Sequence, residues 1–232
     1  MIDTTFNFHL DTPKGQDPDA RSPTLRRYHR LLWSKSLPSG QIFNLMEGKL
    51  GAYLYHKSSV GEHFLASDAI THTYRNTKKL SHLAAKIPED EMRLFYTTCS
   101  TIGAYTIFPG KSIDRKMTIN QARGVSHLIR DRFDITLECI RRYYLGQNNP
   151  LTEVLARYDD FFRLFDDFSG YVKFFLLQDL VSPDFRMVKF HLPFNDFQTP
   201  PLPSSLDEYR RYKENVLSFV NARNQRIFDL FP

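Results

Sequence analysis

The stretch TTCSTIGAYTIFPGKSIDRKMTINQARG, Thr97 to Gly124, decides how the rest of the chain is read. Its first part, CSTIGAYTIFP, is apolar and β-branched enough to predict a buried strand, with Gly103 marking a bulge or a close contact. Pro109-Gly110 then makes a turn. Its second part, IDRKMTINQARG, is polar and carries Asn120 and Arg123. From Val125 the hydrophobic period changes. Leu128, Ile129, Phe133, Leu137, Ile140 and Tyr144 fall on one helical face, with Arg130, Asp131, Asp134, Glu138, Arg141 and Arg142 around the others. The segment predicts a strand, a cationic connection and a long helix beginning near Val125.

Upstream, residues 1–22 read as a loop segment, turn-rich and polar over DTPKGQDPDARSP. Ser22-Pro23-Thr24 predicts a helix start, because Ser22 can accept from free amides and Pro23 suits the first turn. The helix TLRRYHRLLWSK ends at LPSG. QIFNLM and GAYLYH, separated by EGKLG, predict a hairpin, and HFLASDAI a third strand. Residues 71–94 are polar and partly helical, with Pro88 as a boundary. Downstream, GQNNP breaks the helix and Asn149-Pro150 opens the next, striped by Leu151, Leu155, Tyr158, Phe162 and Phe165. Tyr171 to Val181 is apolar almost throughout, and periodicity leaves helix and strand open. MVKFHL alternates as a strand does. Residues 195–205 are a Pro-rich connection before a long terminal helix with Asp207 and Glu208 in its first turn. The order predicts one α+β domain over residues 1–232, with a small, mostly antiparallel sheet in the N-terminal half packed against a largely helical C-terminal half.

The 232 residues carry a net charge of +5, 41% hydrophobic and 25% charged residues, and 20 Phe with 12 Tyr. This composition fits a folded domain with an aromatic core in its C-terminal half. No apolar run reaches the roughly 18 residues of a membrane span. The opening residues lack the basic start and apolar centre of a secretory signal, so the expected location is the cytoplasm. Cys99 and Cys139 read as two buried thiols. Without CxxC spacing, and with no paired histidine ligands one helical turn apart, no metal ligand set is assigned. The basic excess favours an anionic partner, either nucleic acid or a nucleotide.

Phosphate loops, dinucleotide fingerprints, nucleophile elbows and HExxH are absent. Three constellations remain. In the first, Asn120, Arg123 and Arg132 bind an anion at the strand-to-helix junction 110–138. Asp131, Asp134 and Glu138, stepping along one helical side, act there as acids and bases or hold a divalent cation. The competing reading makes the Glu138 pairs with Arg141 and Arg142 ordinary helix-surface ion pairs. In the second, AYLYHKSS places His56, Lys57 and Ser58 at a strand end. In the third, RRYHRLLWSK sets cations beside Tyr28 and Trp33 in a pattern suited to a nucleic-acid backbone. Its alternative is an amphipathic helix with Trp33 turned inward.

The second constellation weakly resembles the first signature of the ADP-ribosyltransferase superfamily. That resemblance implies NAD as cofactor, held by His56 and Ser58, with Tyr105 in GAYTIFPG stacking on nicotinamide, in a toxin or effector. The Glu usual in its third element has no clear counterpart. Over nearly the whole chain, SPTLRRYHRLLWSKSLPSG, TINQARG, DRFDITLECIRRYY and GYVKFFLLQDLV resemble a family of uncharacterised bacterial proteins, a domain of unknown function that implies no activity. The leading expectation is thus an anion-handling protein with its site at 110–138. NAD-dependent transfer through His56, Ser58 and Tyr105 stands beside it, as does a non-enzymatic protein-interaction module.

Overall fold

Two small antiparallel sheets lie in the first half of the chain and helices dominate the second, an α+β architecture seen in a computed structural model that describes residues 1–48 and 54–231. The helices are α1 (Pro18–Arg21), α2 (Pro23–Trp33), α3 (Ser81–Ala84), α4 (Glu89–Thr98), α5 (Ile119–Val125), α6 (Phe133–Tyr144), α7 (Thr152–Ala156), α8 (Asp159–Phe162), α9 (Phe168–Phe174) and α10 (Leu206–Leu230). The strands are β1 (Lys35–Ser36), β2 (Ile42–Phe43), β3 (Met46–Glu47), β4 (Leu54–Ser58), β5 (Gly61–Ala69) and β6 (Tyr105–Pro109). β1 pairs with β2, and the larger sheet runs β3-β4-β5-β6, antiparallel throughout.

Local chemistry explains the element ends. Ser22 accepts from Leu25 N–H at 3.0 Å and starts α2, and the Asp11 carboxylate accepts from Thr24 N–H at 2.9 Å beside it. Thr118 and Gln121 form a reciprocal capping box at α5. Pro88 precedes α4 without a side-chain capping bond, and Ser205 caps α10 by accepting from Glu208 N–H. The loop expected over 11–23 contains the short α1, capped by Asp17. The EGKLG hairpin loop falls largely outside the described residues.

Three elements differ from the sequence reading. The strand at CSTIGAYTIFP is shorter: Cys99 caps α4, residues 102–104 form a 3-10 turn, and only Tyr105–Pro109 pair in the sheet. Gly103 does mark a close contact. A Cβ there would lie 2.6 Å from Val220 O and from Asn224 Oδ1. The helix predicted to begin near Val125 begins only at Phe133, as α6; α5 occupies the end of the segment read as a connection, and Arg130 and Asp131 between the two helices are in left-handed backbone (φ 51° and 60°). Asp131 therefore does not share a helical face with Asp134 and Glu138. MVKFHL contributes only an isolated bridge, Val181 to Val188. The open choice at 171–181 resolves as helix, with α9 followed by a 3-10 turn.

The buried side chains form one contiguous cluster. Its densest part is aromatic: Phe165 and Phe174 centroids lie 4.9 Å apart, Tyr171 and Phe175 4.8 Å, and Trp33 and Phe175 5.2 Å. Both cysteines are buried free thiols. Within this core sits Arg223 of α10, fully buried. Its Nη1 donates to Gly103 O (2.9 Å) and Tyr105 O (2.8 Å), its Nη2 to Phe175 O (3.0 Å), and its guanidinium lies 5.8 Å from the Trp33 ring. One side chain thus joins the terminal helix, the edge of β6 and the aromatic cluster. Replacing it with an apolar residue strands three carbonyls. Arg223→Met is expected to cost about 3 kcal/mol in denaturant unfolding, with Arg223→Lys recovering only part because a point charge cannot span the three acceptors.

Candidate functional site: an acidic cavity at the end of the sheet

β5 and β6 end beside one another, Ala69 opposite Tyr105. Three segments close over that end: the turn carrying Asp17 and Asp19, the start of α5, and the chain at 71–76. They border an open cavity of about 820 Å³, within the size range of small-molecule sites. Asp17, Asp19, Asp68 and Asp131 line it, and no lysine or arginine does among the described residues. In a chain of net charge +5 this is a local reversal of sign.

Asp19 is held by a directed chain of hydrogen bonds. Trp33 Nε1–H donates to His29 Nδ1 (3.0 Å). Indole has no acceptor nitrogen, so the neutral imidazole carries its proton on Nε2. That Nε2–H donates to Ser67 Oγ (2.8 Å), and Ser67 O–H donates to Asp19 Oδ1 (2.8 Å). Ala69 N–H donates to Asp19 Oδ2 at 3.2 Å. Burial first, then the charges of Arg223 and Arg26, pushes His29 down to about 3, so it stays neutral and its tautomer is fixed. Serine sits in the middle of the chain with its proton committed to a carboxylate, which excludes a Ser-His-Asp nucleophile arrangement.

Burial, then the negative charges of Asp68 and Asp17, raises Asp19 to about 7. Asp68 is raised to about 6 by burial, despite its ion pair with Arg123. Asp131 needs Gly124: a Cβ there would lie 3.2 Å from Asp131 Oδ1. Asn120 donates from Nδ2 to Ser67 O (3.4 Å), while its buried Oδ1 has no hydrogen-bond partner. Thr71, 6% exposed, lies on the same lining with its side chain against the Cys99 thiol. Burial pushes the Cys99 thiol up to about 12, so it is not a nucleophile at neutral pH. Among the described residues no group of three or more His, Cys, Asp or Glu is placed to hold a metal ion.

The sequence candidates scatter. Asn120 and Asp131 line the cavity. Arg123 does not. It is fully buried behind the cavity, donating to Asp68, Thr136 Oγ1 (3.2 Å), Ala69 O (3.3 Å) and Asp131 O (2.9 Å). Arg132 and Asp134 form a buried bidentate pair elsewhere. Arg132 also reaches Pro201 O (2.8 Å) and Leu192 O (3.3 Å), and Asp134 accepts from His191 N–H (2.8 Å). Glu138, 4% exposed, accepts from Arg141 and Arg142 at 2.7–2.8 Å. The anion site expected from Arg123 and Arg132 is therefore corrected: both guanidiniums are taken up by protein acceptors, and the cavity that Arg132 lines beside Leu192 and Pro201 is not lined by Arg123. Asp134 and Glu138 are likewise structural, each saturated by arginine.

The transferase constellation does not converge either. His56 is buried, stacked on Phe43 (4.3 Å), with contacts to Asn44 O and Ser58 Oγ at 2.9 Å each. It stands opposite His63 in the sheet, whereas Tyr105 stands opposite Ala69. Six residues of strand separate those positions, roughly 20 Å. Tyr105 lines the acidic cavity; His56 and Ser58 do not. On α2, Trp33 is fully buried, and Arg26 and Arg30 pair with Glu47. Stacking of a base on Trp33 is excluded.

Asp17, Asp19, Ser67, Asp68 and Thr71 went unread in the sequence. The usable signal was Asp68, a charge inside the apolar run HFLASDAI, which must find a partner when the strand is buried. Asp17 and Asp19 gave none, since DPDA reads as an ordinary turn.

Fold and site together define an α+β protein with a carboxylate-lined cavity at one end of its sheet. The chain belongs to a family of unknown function, DUF6994, whose model matches residues 2–227. No curated protein and no solved structure matches it. Among the described residues no helix is long and apolar enough to cross a membrane.

The two classes of aspartate separate by pH. Asp19 is raised from 3.8, so between about pH 4 and 7 the folded state keeps a proton that the unfolded chain has released, and stability falls as pH rises through that window. For Asp134, burial alone would raise the carboxyl, but Arg132 and His191 N–H hold it at about 2. Its contribution is complete above about pH 4 and is lost as pH falls toward 2. Asp19→Asn is expected to raise Tm at pH 8 by roughly 3 °C or more with little change at pH 4.5, while Asp134→Asn lowers Tm at pH 7. Thermal melts across pH check both.

Proposed function

We propose that the protein is an enzyme of the carboxylate acid–base type, acting in the acidic cavity on a small ligand rich in hydrogen-bond donors. The carrying observation is Asp19: a carboxylate with both oxygens oriented by fixed donors, raised to about 7, and lining a cavity of ligand size. A group poised near the working pH is populated in both protonation states, as proton transfer requires. In its ionised form Asp19 takes a proton from a ligand O–H or N–H. In its protonated form it returns that proton to a leaving or developing anion. Asp68, locked to Arg123, keeps a negative charge beside it and sustains the raised value.

The unpaired acceptors support a donor-rich ligand. Asn120 Oδ1 is a buried acceptor without a partner among the described residues, at a cost of about 1–3 kcal/mol until a ligand supplies one, and the carboxylate of Asp131 on the same lining also accepts hydrogen bonds. A nucleotide would place its phosphates against four aspartates, so the anionic partner expected from net charge is disfavoured at this site. A sugar, a nucleoside or an amine fits the chemistry.

The test is a screen of sugars, nucleosides and amines for turnover by NMR. For a substrate so found, Asp19→Asn is expected to lower kcat at least about 100-fold without destabilising the protein, and the wild-type pH–rate profile should bend near pH 7. Full turnover by both Asp19→Asn and Asp131→Asn would overturn the assignment.

A further inference from the structure

We infer that the ligand of the acidic cavity is an organic cation, an amine or guanidinium whose N–H donors meet Asp17, Asp19 and Asp131 while Asn120 Oδ1 accepts from its polar groups. The inference rests on the proposed site and narrows its substrate class.

The sign of the cavity carries it. Four aspartates line the wall without a lysine or arginine among the described lining residues. Of the four, Asp68 alone has a guanidinium partner among the described residues, and that partner is buried behind the wall. The other titratable groups on the lining do not balance the charge. Burial lowers both His9 and His72, which disfavours their charged forms. The phenol of Tyr105, pushed up by burial and then by Asp19, stays protonated. Asp19, raised to about 7, offsets the charge excess only in part near neutral pH, and a cationic ligand would offset the rest.

One observation independent of the acids points to a donor-bearing ligand: Asn120 Oδ1 is buried on the same lining and has no hydrogen-bond partner among the described residues. A metal ion answers these features poorly. It needs several oxygens converging at about 2.0–2.6 Å, and no such group of His, Cys, Asp or Glu occurs among the described residues. Spread acceptors suit a molecule with spread N–H donors. Tyr96 and Tyr105 on the same lining add aromatic surface compatible with an organic cation.

Isothermal titration and thermal shift at pH 7.5 test this with spermidine and agmatine as cations, xylitol and adenosine as neutral donors, AMP and inorganic phosphate as anions, and Mg²⁺ and Mn²⁺ as metals. At least one organic cation is expected to bind and raise Tm, releasing protons, seen as a dependence of the heat on buffer ionisation enthalpy. Asp131→Asn should weaken it at least about tenfold. Asp19→Asn should abolish the proton release. Asp207→Asn, on an exposed carboxylate of α10 (91% accessible), should leave binding unchanged and so controls for net charge. Binding of a neutral probe alone, lost in the aspartate variants, overturns the cation and leaves the acid–base site standing. Binding of metals alone overturns the cation in favour of a metal. Binding of an anion, or of any probe with no effect from either aspartate variant, overturns both readings. No shift from either cation overturns the inference.

Discussion

The Arg223 guanidinium, buried without a carboxylate partner, is the constraint on which the rest of the structure depends. A cation taken out of water must recover its lost hydration from whatever faces it. Here the recovery comes from three carbonyls and the face of Trp33. Those acceptors belong to the turn before β6, to β6 itself and to the end of α9. Burial lowers Arg223 to about 9, still above neutral pH, so the charge persists. The helix that carries it also fixes the chain behind the cavity. Tyr212 O–H donates to His72 O (2.9 Å), Tyr209 O–H to Thr73 O, and Asn224 holds Gly103 N–H (2.7 Å). α10 is thus the spine against which the cavity wall is set.

The same charge reaches the site electrostatically. It helps hold His29 neutral, and Trp33, whose ring it faces, donates to His29 Nδ1. A neutral His29 with Nδ1 occupied can present only one donor to Ser67. Ser67, having accepted that bond, turns its own proton to Asp19. Each link removes one alternative from the next, so the carboxylate orientation follows from an interaction deep in the core. Preorganisation of this kind separates Asp19 from Asp134. Asp134 meets a full positive charge at contact and is stabilised as an anion. Asp19 meets only neutral donors and other acids, and its proton stays within reach of neutral pH.

The α+β order, the α2 and α10 starts, the burial of Trp33 and the close contact at Gly103 were legible in the sequence because each rests on local chemistry. Caps, prolines, glycines and hydrophobic period act within one or two turns. The break between α5 and α6 was not legible, because the Arg130-Asp131 pair carries no glycine or proline to announce its left-handed backbone. Arg123 explains it from tertiary structure: its Nη2 takes the Asp131 carbonyl that the turn exposes. The partners of the arginines were equally hidden. From spacing, Arg123 and Arg132 are indistinguishable from free cations near a loop. In space one finds Asp68, 55 residues away, and the other Pro201 O, 69 residues away.

That inversion carries a general lesson about net charge as evidence. The excess of +5 predicts anionic partners only if the cations are available. Arg123, Arg132 and Arg223 are each less than 2% exposed, spent on carboxylates or carbonyls in the core. Their desolvation is compensated inside the fold and contributes little to what a ligand meets. The aspartates at the cavity are the reverse case: apart from Asp68 they have no cationic partner among the described residues, and they line the space a ligand would enter. Function at a site follows the charges left unpaired there, and in this protein those are negative although the sum over the chain is positive.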